Sequence, residues 1–216
     1  MTPYQFMIVG SPGRGKTYSF INMNPKTCGF INMESKPLPF INKFEHYYSP
    51  NTWQDAYSKL IEYAKNDKIT EVVFDSFSSY MDSVLKTARE TKKGYDIWNE
   101  YNTKLAELMF IFRKYPKDIF VTAHYEWIQN EGGAIEKRIK TKGKEFEGMV
   151  EKDFTIVAFA DVRIKDEKRE YYFKLNTDGK DSAKCPPIFL IDNQDLIPND
   201  CNSFLNHVRE VLNSNK

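Results

Sequence analysis

Each shortage in this chain removes a class of protein. Only three cysteines occur in 216 residues, Cys28, Cys185 and Cys201. Their odd number and uneven spacing, with no histidine cluster beside them, disfavour a disulfide framework and a zinc site alike, and point to a reducing cytoplasm. Net charge is scarce too, since 31 Lys plus Arg oppose 30 Asp plus Glu. No global field draws the chain onto a polyanion or a membrane, so any affinity for one must be local. No apolar run approaches the ~18–20 residues that cross a bilayer, and the opening MTPYQFMIVG lacks the charged start and apolar body of a secretory leader. A soluble protein with no membrane partner is expected. Internal repeats, low-complexity tracts and linkers are also missing, so residues 1–216 are expected to form a single domain.

What is present is an alternation of strand and helix signals. Tyr4 to Val9 is apolar and β-prone and ends at Gly10, which predicts a buried strand, a glycine-rich turn and then a helix from Lys16. "CGFINME", Cys28 to Glu34, predicts a second strand, and the two prolines of "SKPLPF" a loop. Thr52 looks like an N-cap with Asp55 three positions on, ahead of Trp53, Ala56, Leu60 and Ala64 on one helical face. "EVVFD", Glu71 to Asp75, has the form of a central parallel strand ending in an acid. Trp98, Tyr101, Leu105, Leu108, Met109 and Phe112 repeat at helical spacing before Pro116, and "IFVTAH" predicts a strand ending at His124. From Tyr125 to Lys152 the chain is polar and glycine-interrupted, a long loop of the kind that is functional or mobile. "FTIVAFADVRI" and "REYYFKLN" predict a hairpin; "PIFLI" predicts a last strand, and Ser203 to Leu212 a last helix. The pattern implies an α/β fold with a mainly parallel central sheet flanked by helices, a C-terminal antiparallel β-hairpin, and ligands at the carboxyl edge.

The chemistry at that edge begins with Gly10-Ser11-Pro12-Gly13-Arg14-Gly15-Lys16-Thr17, a GxxxxGK[ST] phosphate loop in strand and helix context, with Tyr18 next to it. Its glycines let the backbone wrap phosphates, and its N–H groups sit where a helix start favours anions. Lys16 supplies charge to the β and γ phosphates of ATP, and the Thr17 hydroxyl is a ligand for Mg²⁺. Asp75 fits the second acid that holds magnesium, its competing role being a helix N-cap, for which Ser76 is a rival. Glu34, ending its strand, can orient and activate water, or can be an ordinary loop acid; Glu71 lies at the wrong end of its strand for that work. His124 can contact the γ-phosphate, with Thr122 as its alternative.

Two segments carry local charge. "KRIKTKGK" offers Lys137, Arg138, Lys140, Lys142 and Lys144 as phosphate-backbone contacts, flanked by Glu131, Glu136, Glu145 and Glu147. A solvated, mobile loop is the other reading. In "RETKKGYDIW", Lys92 and Lys93 add charge, while Tyr95 and Trp98 are either base-stacking rings or core.

In this order, phosphate loop, "FINME", "VVFDS", "VTAH", long loop and hairpin, the chain from Tyr4 to about Ile191 resembles the RecA-like recombinase core. It looks most like the short phage ATPases associated with single-strand annealing. The resemblance implies a Mg-dependent, DNA-stimulated ATPase acting in annealing or homologous recombination. Glu34 would be the base and His124 the γ-phosphate sensor, although RecA itself has glutamine there, and the segments 89–98 and 125–152 would face single-stranded DNA. It implies homo-oligomers with ATP at subunit interfaces, a basic residue supplied in trans, with Lys174 favoured over Lys180 and Lys184, and a phage single-strand-binding or annealing protein as a further partner. The chain starts at the first core strand, without the N-terminal segment by which larger recombinases link into filaments, so stable filaments are not expected and self-association is expected to need DNA and ATP. Two alternatives remain: a small-molecule or nucleotide kinase, against which stands the lack of an arginine-rich lid, and a partner-driving NTPase of replication or packaging.

Overall fold

Strand β1 (Gln5–Val9) alternates its apolar side chains between two sheet faces, and this alternation organises everything around it. Phe6 and Ile8 enter one core, Met7 and Val9 the other. The computed structural model describes residues 2–129 and 132–214. Its further strands are β2 (Cys28–Asn32), β3 (His46–Tyr48), β4 (Glu71–Asp75), β5 (Asp118–Ala123), β6 (Tyr125–Gln129), β7 (Ile135–Ile139), β8 (Ile156–Lys165), β9 (Lys168–Lys174) and β10 (Leu196–Pro198). The helices are α1 (Trp53–Lys65), α2 (Phe77–Thr91), α3 (Asp96–Arg113) and α4 (Cys201–Ser214).

The main sheet runs β10-β9-β8-β1-β5-β4-β2-β3. All pairings from β8 to β3 are parallel, and β8-β9 and β9-β10 are antiparallel. The expected α/β fold with its C-terminal hairpin is therefore present. Asp166 and Glu167 turn that hairpin at φ 49° and 62°, the left-handed pair a tight two-residue turn requires. Helices α1, α2 and α3 cover the face of Met7 and Val9, while α4 covers the face of Phe6 and Ile8. On the second face Phe6 stacks on Phe120 at 4.4 Å between centroids, and Phe204 meets Phe6 edge-on. Rings of this size contribute ~1.5–3 kcal/mol each on burial.

Three expectations fail. No α-helix starts at Lys16; only a 3₁₀ turn, Tyr18–Phe20, follows the phosphate loop. Asn24 instead bonds the N–H of Lys26, Pro25 interrupts, and the chain enters β2 at Cys28. The segment 125–152 is not wholly loop, because β6 and β7 pair antiparallel in a separate two-stranded sheet, so Lys137 and Arg138 lie on a strand. "PIFLI" is not a strand: Pro187–Phe189 and Ile191–Asn193 are 3₁₀ turns, and the edge position on β9 belongs to β10. Glu131 lies outside the described residues.

Candidate nucleotide site

The carboxyl ends of β1, β5, β4 and β2 bring the phosphate loop, His124, Asp75 and Glu34 to one edge, since Val9 pairs with Ala123 and Asn32 with Asp75. A cavity of 690 Å³ opens there, lined by Gly13, Lys16, Thr17, Glu34, His124 and Tyr171 among others. Pro12, Gly15 and Tyr18 also reach it; Gly10, Ser11 and Arg14 complete the loop, Arg14 held by Asp161 at 3.2 Å. Gly13 and Gly15 have φ of 75° and 84°, the conformation that turns the loop. A Cβ on Gly15 would come within 2.9 Å of Tyr171, so glycine is also required there for space.

Lys16 is buried, and its Nζ donates to the carbonyls of Gly10 at 2.7 Å and Ser11 at 3.1 Å. Burial pulls its pKa down to about 8 against the opposing charges of Asp75 and Glu34. Beside it Asp75 is buried at the end of β4. Ser76, not Asp75, caps α2 by accepting from the N–H of Ser79, which frees Asp75 from the capping role. One carboxylate oxygen of Asp75 accepts from the Thr17 hydroxyl at 2.8 Å and the other from Thr122. Burial raises the Asp75 pKa, and these two hydroxyls oppose the rise. A buried carboxylate and the adjoining threonine hydroxyl are hard oxygen donors, which fits Mg²⁺ shared with phosphate and water. Among the described residues no three His, Cys, Asp or Glu side chains form a metal cluster, so the protein contributes only part of such a shell.

Glu34 sits two residues past β2, on a turn built by Asn32. The Asn32 carbonyl oxygen of the side chain accepts from the Glu34 N–H at 3.1 Å, and its amide donates to Lys36 O and the Tyr47 hydroxyl. The Glu34 carboxylate is 3.4 Å from Lys36 Nζ. Sequence reasoning passed over Asn32, although a polar residue closing an apolar strand was the available signal. Glu71, the rival acid, lies at the opposite end of β4, bound by Thr27, Thr70 and Arg209.

His124 follows β5 directly. Its backbone N–H donates to Ser78, and its Nδ1 is 3.1 Å from Gly10 O and 3.4 Å from Lys16 Nζ. The Gly10 carbonyl only accepts and the Lys16 ammonium only donates, so Nδ1 serves one or the other according to the ring's tautomer. Burial, then the Lys16 charge, lower the His124 pKa below its ordinary 6.5, so the ring is neutral at pH 7. A phosphate arriving in the cavity favours the imidazolium, so nucleotide binding should take up a proton. Affinity is expected to tighten as pH falls toward and below the ordinary histidine value, by at most about tenfold per pH unit for one proton. Calorimetry in buffers of different ionisation enthalpy reads the uptake; an unchanged profile in His124→Gln would exclude this ring as its source.

The residues expected to contact DNA stand in different settings, and none of them lines the cavity at this edge. Lys92, Lys93, Lys140 and Lys144 are exposed. Lys137 lies over the rings of Tyr125 at 5.0 Å and Trp127 at 5.2 Å. Arg138 Nε lies 2.9 Å from Glu136, near enough for an ion pair but not aligned for a hydrogen bond. Lys142 pairs with Asp82 at 2.8 Å. Tyr95 is exposed, whereas Trp98 packs against the core. Lys174 is tied within its own chain to Asp178 at 2.8 Å and Asp181 at 2.7 Å.

No helix among the described residues is long and apolar enough to cross a membrane. Solved structures similar to the chain include a KaiC-like protein from the hyperthermophilic archaeon Pyrococcus horikoshii OT3, at 14% identity and TM-score 0.45 over 79% of this chain and 76% of that one. The RadB recombinase is similar at 13% identity and TM-score 0.47, over 80% of this chain and 81% of the other. A comparison with curated proteins finds no match. A protein-family profile described as an AAA domain matches residues 2–184, which include the phosphate loop, Glu34, Asp75, His124 and most of the sheet. The chain belongs to the AAA domain family of P-loop ATPases.

Proposed function

We propose that the chain is one RecA-like ATPase unit whose phosphate state controls its grip on single-stranded DNA, in annealing or recombination. The observation that carries this reading is the hairpin β6-β7. It leaves β5 one residue after His124, and the His124 carbonyl accepts the Lys140 N–H at 2.9 Å where the hairpin returns. The hairpin presents Trp127, 58% exposed, with Lys137 above it. A ring for stacking and a cation for the backbone are what a sequence-tolerant single-strand surface needs.

In the hydrolysis step Glu34 accepts a proton from water as that water attacks the γ-phosphorus, the bond to the β–γ bridging oxygen breaks and ADP leaves with that electron pair, and Lys16 neutralises the charge developing on the phosphates. Thr17 and Asp75 would hold Mg²⁺, which supplies further charge neutralisation when bound. His124 reports the γ-phosphate to the hairpin through its own backbone. Homo-oligomers with ATP between subunits belong to the same proposal, and Lys174 must then leave Asp178 and Asp181 to act on a neighbour.

Fluorescence anisotropy with an oligothymidine tests the reading. Binding is expected to strengthen with ATP and to weaken about tenfold or more when Lys137, Arg138 and Lys140 become alanine, with a shallower salt dependence. Absence of binding at low salt refutes it. A partner-driving NTPase is the second reading, favoured by an apolar cavity of 610 Å³ beside Tyr18, Phe40 and Phe44 and by Ile41, 83% exposed on its rim. An ATPase rate indifferent to DNA and raised by a protein partner would support that alternative.

A further inference from the structure

Away from the phosphate loop, α2, the start of α3 and the segment after β7 enclose a second cavity of 550 Å³. Lys86, Arg89 and Lys142 supply its cations, Asp82 and Glu90 its carboxylates. Lys86 and Arg89 stand three residues apart on α2, a spacing that puts both on one helix face. Trp98 forms a wall, pressed by Gly143 so closely that a Cβ there would lie 3.2 Å from the indole. Gly143 also has φ 74°, a conformation that favours glycine, and a side chain there would crowd the indole. Thr141 lines the cavity and is 8% exposed, yet its hydroxyl is buried without a hydrogen-bond partner. An orphaned buried hydroxyl is destabilising, and in a native protein it calls for a group that completes it. The neighbouring Lys142 is closed over by its 2.8 Å pair with Asp82.

We propose that this cleft binds one nucleotide unit, a phosphate ester carrying a base. Arg89, Lys86 and Lys142 hold the phosphate, Arg89 by the two-pronged geometry a guanidinium offers an oxyanion. The base lies along Trp98. The arriving anion draws Lys142 away from Asp82 and opens Thr141, whose hydroxyl then gains a partner. The unit comes either from a single strand or from a free mononucleotide; the first source rests on the DNA reading above, and the second does not. Under the first source, the cleft joins the two basic segments 89–98 and 137–144 into one path.

Two variants and two probes decide it. With oligothymidine, Lys86→Ala/Arg89→Ala is expected to weaken binding about tenfold and to flatten the salt dependence by about one to two phosphates. Thr141→Val is expected to weaken binding while raising the melting temperature of the free protein, a combination that a merely structural threonine would not produce. Basal ATPase activity stays unchanged in both. In the second arm, 5′-thymidine monophosphate is titrated into the protein carrying Lys16→Ala, which silences the phosphate loop, and Trp98 fluorescence is followed with Trp98→Phe as control. A response to the mononucleotide with no binding of the strand keeps the cleft and removes the DNA reading. Strand binding that survives Lys86→Ala/Arg89→Ala and Thr141→Val but is lost in Trp127→Ala/Lys137→Ala overturns the cleft and keeps the DNA reading. No response in either arm overturns both.

Discussion

Replacing Lys16 with methionine is expected to weaken nucleotide binding by roughly 10²–10³-fold and, in the same variant, to raise the melting temperature of the ligand-free protein. The first effect follows from removing a buried cation opposite a polyanion, a change worth ~2–5 kcal/mol. The second follows from the cost of holding that cation without its ligand. Lys16 is 8% exposed, and burial takes its pKa from 10.5 to about 8. A displacement of this size corresponds to ~3 kcal/mol against the charged form. Methionine keeps much of the volume and removes the charge, but leaves the Gly10 and Ser11 carbonyls short of a donor at ~1 kcal/mol each, for a net gain of ~1–2 kcal/mol. The sign can be checked against pH. Between about 8 and 10.5 the unfolded chain binds more protons than the folded one at this lysine, so wild-type stability falls as pH drops through that window and stays lowered at pH 7. The methionine variant should lose this slope. Thermal melts at pH 7 and pH 10 with a nucleotide titration measure both effects, and a lower melting temperature at pH 7 would contradict the account.

Glu34→Gln should leave ATP binding near wild type and reduce turnover by about 10²–10⁴-fold, the range for a positioned general base. The substitution is nearly isosteric, and the turn that presents it depends on the backbone N–H of Glu34 and the side chain of Asn32, neither of which changes. Binding and chemistry are thus separable at this residue, in contrast to Lys16. Single-turnover hydrolysis against ATP affinity tests the split. Unimpaired turnover would remove Glu34 from the base role.

The residues of this site were legible to different degrees, for physical reasons. Parallel strands buried on both faces leave continuous apolar runs, so "EVVFD" and "IFVTAH" marked β4 and β5 and delivered Asp75 and His124 to the right edge. The capping box at Thr52 and Asp55 is local chemistry and appears as written. The phosphate-loop motif predicts a helix after it, but Asn22, Asn24 and Pro25 favour turns there, and the chain forms only a 3₁₀ turn. "YEWIQ" and "IEKRI" are too polar to signal a buried strand, because their hairpin stands beside the main sheet and packs only in part. "PIFLI" misled in the other direction: an apolar pentapeptide preceded by Pro186 and opened by Pro187 lacks ladder donors, and it buries Phe189 from a 3₁₀ turn. The pairing of Lys142 with Asp82, and the tie of Lys174 to two carboxylates, are contacts between segments that no local pattern encodes.

The missing helix changes what supports the phosphate cradle. Where a helix would brace the loop from beneath, Ser19 instead donates to Lys16 O at 2.6 Å and meets Cys201 at 3.2 Å, the first residue of α4. Phe20 and Met23 share a core with Phe204, Leu205 and Val208. The phosphate loop is therefore braced by α4, a helix far from it in sequence. During synthesis the loop stays unbraced until α4 has left the ribosome, so the ability to hold a nucleotide waits on a segment 182 residues beyond Ser19.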